Sequence, residues 1–125
     1  MIEEFDNFPI YYYSNHNAIF GPGIIEIDNI FSEKLDYELE VAAIIGKKGI
    51  NISSKEADSF IYGFSIMNDL SSRKIQREEM KLNLGPAKGK DFATLIGPYI
   101  YTKDELKDRV ISTKNGNYIL RKSVL

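Results

Sequence analysis

The chain is 125 residues long, 43% hydrophobic, with a net charge of −2 and a pI near 5.4; this is about one globular domain, neither disordered nor membrane-spanning in composition. No basic stripe or aromatic-basic interleaving favours nucleic acid as a partner, and no apolar run approaches the length of a bilayer span. The acidic start Met1-Ile2-Glu3-Glu4 is unlike a secretory signal, and the lack of cysteine excludes disulfides, thiolate zinc sites and cysteine nucleophiles, so the expected setting is cytoplasmic, without membrane contact.

In chain order, residues 10–13 (Ile-Tyr-Tyr-Tyr) predict an aromatic strand. Ser14-Asn15-His16-Asn17 is a polar turn, and Ala18-Ile19-Phe20 a second strand ended by Gly21-Pro22-Gly23. Residues 24–27 are a short third strand candidate, followed by a loop over residues 28–36.

Residues 37–46, Tyr-Glu-Leu-Glu-Val-Ala-Ala-Ile-Ile-Gly, predict a strand with Glu38 and Glu40 on one face and Tyr37, Leu39 and Val41 on the other. A strand with one solvated face alternates in the same way. The continuation Ala42-Ala43-Ile44-Ile45 is apolar at every position, however, and predicts burial on both sides. Two carboxylates near an interior need a counter-charge, and a hard divalent cation with oxygen ligands is one solution.

Beyond the turn Lys47-Lys48-Gly49, Ser53 and Glu56 have capping-box spacing. They predict a short helix with Ala57, Phe60 and Ile61 on one face, ended by Gly63 ahead of a strand over residues 64–67. Asp69 is then either the N-cap of a helix over residues 71–80 or a ligand at a strand terminus, and its place ahead of a helical stretch favours the cap. Residues 84–94 form a glycine-punctuated loop with Lys88 and Lys90; it lacks GxxxxGK[ST] spacing and reads as a solvated basic turn. Residues 110–113 and 118–121 around Asn115-Gly116 predict a hairpin. With no repeat and no linker, residues 1–125 read as a single domain.

In order and spacing, several segments resemble the fumarylacetoacetate hydrolase family over roughly residues 8–106. They are Leu35-Asp36-Tyr37-Glu38-Leu39-Glu40, Asn68-Asp69-Leu70-Ser71-Ser72-Arg73 with Gln76, Lys88-Gly89-Lys90-Asp91-Phe92 and Gly97-Pro98. The resemblance implies an α+β, mainly β fold: a partial mixed β-sheet roll with one or two short helices. It implies that Glu38, Glu40 and Asp69 hold a divalent metal, with Mg²⁺ expected and Mn²⁺ or Ca²⁺ as alternatives. Lys90 matches a catalytic lysine close to metal and substrate. Arg73, Gln76 and Thr94 match substrate-binding residues, and Gln76 is the better candidate for direct contact.

The implied reaction is metal-dependent hydrolysis of a carbon-carbon bond in a small 1,3-dicarbonyl or acylpyruvate-type acid. Decarboxylation or isomerisation of similar oxo-acids is the alternative, since each passes through an enolate-like species. A catalytically incomplete metal-binding fragment is a third. Two departures from the family pattern bear on this. The family's histidine-glutamate base has no match, since His16, the only histidine, reads as a surface turn residue. The family's downstream strands are also missing. A truncated domain with weak catalysis at best is therefore expected, with a small oxo-acid as substrate and a homodimer as the assembly common in the family.

Overall fold

The structure is a computed structural model that describes residues 7–8, 10–114 and 117–120. The elements are, in order, strand β1 (Ile19–Phe20), helix α1 (Asn29–Ser32), β2 (Leu35–Asp36), β3 (Leu39–Ile45), helix α2 (Ser54–Ala57), β4 (Ile61–Asp69), β5 (Ser71–Ser72), helix α3 (Arg73–Met80), β6 (Thr94–Ile96), β7 (Tyr101–Thr102), β8 (Val110–Lys114) and β9 (Asn117–Leu120). The sheet is mixed and the helices short, as the α+β, mainly β expectation has it. Among the described residues no helix is long and apolar enough to cross a membrane.

The chain divides into two compact units, Met1–Leu39 with Met67–Ile96, and Glu40–Ile66 with Gly97–Leu125. In the first, β1 runs parallel to β6, and β6 runs antiparallel to the end of β4. Thr94 is thereby the partner of Asp69 on one side and of Ile19 on the other. β2 pairs antiparallel with β5, Leu35 opposite Ser72 and Asp36 opposite Ser71. Phe31 and Phe92 stack with centroids 4.5 Å apart. The buried centre of this unit is small and polar: Asp69, Ser71, Ser72, Lys90 and Thr94 around Ala93. Most buried polar groups are paired: here Ser71 Oγ donates to the Asp69 carbonyl and Ser72 N–H to Gly89 O, whereas Ser72 Oγ has no partner among the described residues.

In the second unit β4 lies beside β3 and pairs antiparallel with β7, Gly63 opposite Thr102. Gly63 does not end a helix as the sequence predicts; it sits inside β4, where an added Cβ would lie 2.5 Å from the Tyr101 carbonyl oxygen, so glycine is what admits the neighbouring backbone. Ser53 is the N-cap, but the capping box does not form: Ser53 Oγ donates to Glu56 Oε2 at 2.7 Å and accepts no backbone N–H. The helix they begin is only α2, continued by a 3-10 turn over Asp58–Phe60. β8 and β9 pair as the predicted hairpin; its turn Asn115-Gly116 and Arg121 lie outside the described residues.

Several strand expectations fail for lack of a ladder partner. Residues 10–13 form no strand: Tyr11 and Tyr13 meet edge to face at 5.6 Å while the Tyr12 hydroxyl bonds elsewhere. Residues 24–27 are likewise unpaired, although Ile25 and Ile27 are half-buried and Ile24 and Glu26 exposed. The loop after them contains α1, capped by Asp28 Oδ1 accepting from Ile30 N–H at 3.0 Å, and β2. β3 begins one residue after Glu38. Its alternation is as predicted, but its burial is one-sided: Glu40, Ala42 and Ile44 are half-buried, whereas Val41 and Ile45 stay 68% and 63% exposed.

Candidate metal centre

The first unit concentrates charge around Asp69, the last residue of β4, which is 2% exposed. Asp69 is not a helix cap. α3 starts four residues later with Ser72 at its N-cap, and the Asp69 carboxylate is taken up by side chains distant in sequence. Its Oδ2 accepts from the Tyr12 hydroxyl at 2.5 Å and from Lys90 Nζ at 3.2 Å. Its Oδ1 is buried and has no hydrogen-bond partner among the described residues. Lys90, at 3% exposed, is no solvated turn lysine: Nζ bridges Asp69 Oδ2 and Glu38 Oε2, the latter at 2.5 Å.

Glu38 reaches this place because its backbone is tied to β4 from both sides. Its carbonyl accepts from Asp69 N–H at 3.0 Å, and its own N–H donates to Asn68 Oδ1 at 3.2 Å. A carboxylate oxygen of Glu38 lies within 4.8 Å of one of Asp69, and Glu40 follows two residues on in the sequence. Arg73, at the start of α3, is divided between two acids, its Nε 2.8 Å from Asp36 Oδ2 and its Nη1 2.8 Å from Glu38 Oε1. The same Nη1 donates to Gln76 Oε1 at 2.9 Å, one helical turn on. The structure thus gathers Glu38, Asp69, Lys90, Arg73 and Gln76 around one point, with Thr94 beside Asp69 in the ladder; Glu40 lies on β3, two residues after Glu38. His16 is exposed, in a 3-10 turn capped by Asn15, as its surface reading has it.

Burial pushes the Glu38 carboxyl up, but Lys90 and Arg73 more than offset this and hold it below its usual range. The Arg73 guanidinium and the Tyr37 N–H likewise hold Asp36 low. A carboxyl lowered in the folded state contributes stability above its unfolded value, and that contribution disappears as pH falls through the folded value. Urea unfolding should therefore lose free energy as pH drops below the ordinary carboxylate range. Arg73→Gln should flatten that slope; an unchanged slope in the variant would mean that Arg73 does not set these two carboxyls.

Two further residues contribute to the site. Tyr12 had no local signal, because its partner lies 57 positions away. Asp36 stood in a recognised motif, but its pairing with Arg73 depends on β2 meeting β5.

All candidate donors are carboxylate oxygens, the set preferred by hard divalent ions. Arg73 is paired with Asp36 and Glu38, and Lys90 with Glu38 and Asp69. A buried carboxylate oxygen without a donor is costly, so Asp69 Oδ1 fits a cation.

A model of the fumarylacetoacetate (FAA) hydrolase C-terminal domain matches residues 2–122. The chain belongs to the fumarylacetoacetate hydrolase family. It is 48% identical over 79 residues to fumarylacetoacetase of Oryza sativa subsp. japonica, covering 61% of this chain and 18% of that protein. Fumarylpyruvate hydrolase from Pseudomonas aeruginosa, solved with Mn²⁺ and pyruvate, shares the fold at a TM-score of 0.67 and 22% identity, covering 82% of this chain and 47% of that one. 5-Carboxymethyl-2-hydroxymuconate delta-isomerase from Mycobacterium smegmatis matches with a TM-score of 0.56 and 33% identity, covering 69% and 34%. The chain thus spans about a fifth of the fumarylacetoacetase and less than half of either structural neighbour. The family members it matches include both hydrolases and an isomerase.

Proposed function

We propose that Glu38, Glu40 and Asp69 hold a divalent cation, Mg²⁺ or Mn²⁺, and that the chain is the metal-holding part of an enzyme that cleaves a carbon-carbon bond in a small 1,3-dicarbonyl or acylpyruvate-type acid. The observation that carries the proposal is the buried Asp69 Oδ1, without a partner among the described residues while Oδ2 is held by Tyr12 and Lys90. When bound, the cation supplies Lewis acidity toward a substrate carbonyl. The protein's own groups do the rest. Tyr12 and Lys90 fix the Asp69 carboxylate, and Lys90 and Arg73 fix Glu38 and keep it ionised. The Lys90 ammonium places a positive charge where negative charge would grow on the substrate, in a nearly dry setting that strengthens its effect. Isomerisation of a similar acid is the second reading, favoured by the isomerase neighbour.

The test is thermal unfolding of the chain with Mg²⁺ or Mn²⁺, together with product analysis on an acylpyruvate. Cation at a hundredfold its Kd should add about 2.7 kcal/mol to the folded state, and Glu38→Gln with Glu40→Gln should abolish the shift. Cleavage yields two smaller acids, whereas isomerisation leaves the mass unchanged. Binding with neither product would favour the catalytically incomplete fragment, and absence of any shift with either ion would remove the metal reading altogether.

A further inference from the structure

Lys90 is delivered by a loop that has almost no regular structure of its own, and the contact that shapes this loop is made by a residue outside the site. Glu79, near the end of α3, accepts three successive backbone N–H groups: Lys88 N–H on Oε1 at 2.7 Å, and Ala87 and Gly89 N–H on Oε2, each at 3.1 Å. Consecutive amides converging on one carboxylate fix a loop's shape, because each bond constrains a different peptide plane. The loop also lies flat against the helix. A Cβ on Gly89 would fall 2.8 Å from Gln76 N and 2.9 Å from its Cα, and Gly89 O accepts from Ser72 N–H at 2.9 Å. Lys90 is the next residue, its N–H donating to Ala87 O at 2.9 Å. Burial pushes the Glu79 carboxyl up, but the three amides outweigh it and keep the carboxyl below its usual range.

We propose that Glu79 is a positioning residue: by gathering the amides of residues 87–89 it sets the loop from which Lys90 reaches Glu38 and Asp69. Any consequence for chemistry rests on the proposed site, but the placement of Lys90 does not. It can be read without metal or substrate.

The reading is the rate at which individual lysines of the metal-free chain are reductively methylated by formaldehyde and cyanoborohydride, followed by peptide mass spectrometry across a range of pH. In the native chain Lys90 should react far more slowly than exposed Lys47 and Lys55. In Glu79→Ala, Lys90 should react at least about tenfold faster, since a hydrogen bond to a charged group is worth about that factor in the opening of a loop, while Lys47 and Lys55 keep their rates. Glu79→Gln retains one acceptor but turns an amide N–H₂ toward backbone donors, so it should show the same change at smaller size. A folded variant in which Lys90 stays protected overturns the proposal. So does a parallel rise at Lys47, or unfolding of both variants, because Glu79 would then support the fold at large rather than Lys90. Failure of the metal reading leaves these rates untouched, which keeps the two ideas separable.

Discussion

Lys90→Met is expected to cost the metal-free chain about 3–5 kcal/mol of unfolding free energy, the usual penalty for removing one partner of a buried ion pair. Lys90 and Asp69 side chains are each 3% exposed, and the ammonium is shared between Asp69 and Glu38. Methionine fills much of the same volume, so packing contributes little to the loss. What remains is two carboxylates with oxygens within 4.8 Å of each other and no ammonium between them. Both cannot stay ionised there without cost. A divalent cation would restore the missing charge. The variant should therefore gain more stability from Mg²⁺ than the native chain does, which urea unfolding with and without the ion would show. A metal-free loss below about 1 kcal/mol, the level of an exposed pair, would mean that the Lys90 ion pairs do not hold this centre together.

The sequence made the site more legible than the fold around it. Glu38 and Glu40 could be placed on one face because strand alternation is a local property, and it survives even though β3 starts two residues later than predicted. The burial of Lys90 could not be read locally. A lysine between a glycine and an aspartate has the composition of a solvated turn, and it is buried because Glu79, Gln76 and Ser72 hold its loop against α3. Asp69 shows the same limit. Its position ahead of a helix is what a cap looks like, and only the arrival of Tyr12 and Lys90 gives the side chain a different task. The residue 10–13 segment has strand-forming side chains, yet propensity alone makes no ladder. β3 carries the opposite lesson. Val41 and Ile45 have the apolar pattern of a strand covered on both sides, and in the single chain that side lies open.

Asp69→Asn should leave the metal-free chain close to native stability and yet lower its affinity for Mg²⁺ and Mn²⁺ by at least about 100-fold, the upper end of what losing even a supporting group costs a metal site. The amide has the carboxylate's shape and keeps one oxygen to accept from Tyr12 or Lys90, so the bonds now made at Oδ2 at 2.5 and 3.2 Å can in part persist. Lys90 retains Glu38 as a charged partner. Replacing a negative group also relieves repulsion with Glu38, which offsets the weaker bond to Lys90. For a hard cation the same change removes one formal charge and the buried Oδ1 that no donor among the described residues satisfies. The two variants therefore have opposite signatures: Lys90→Met is unstable and responsive to cation, Asp69→Asn stable and unresponsive. Calorimetric titration with each ion separates them. An Asp69→Asn chain that binds within tenfold of native affinity would take Asp69 out of the ligand set and reduce the centre to an ion-paired acidic cluster.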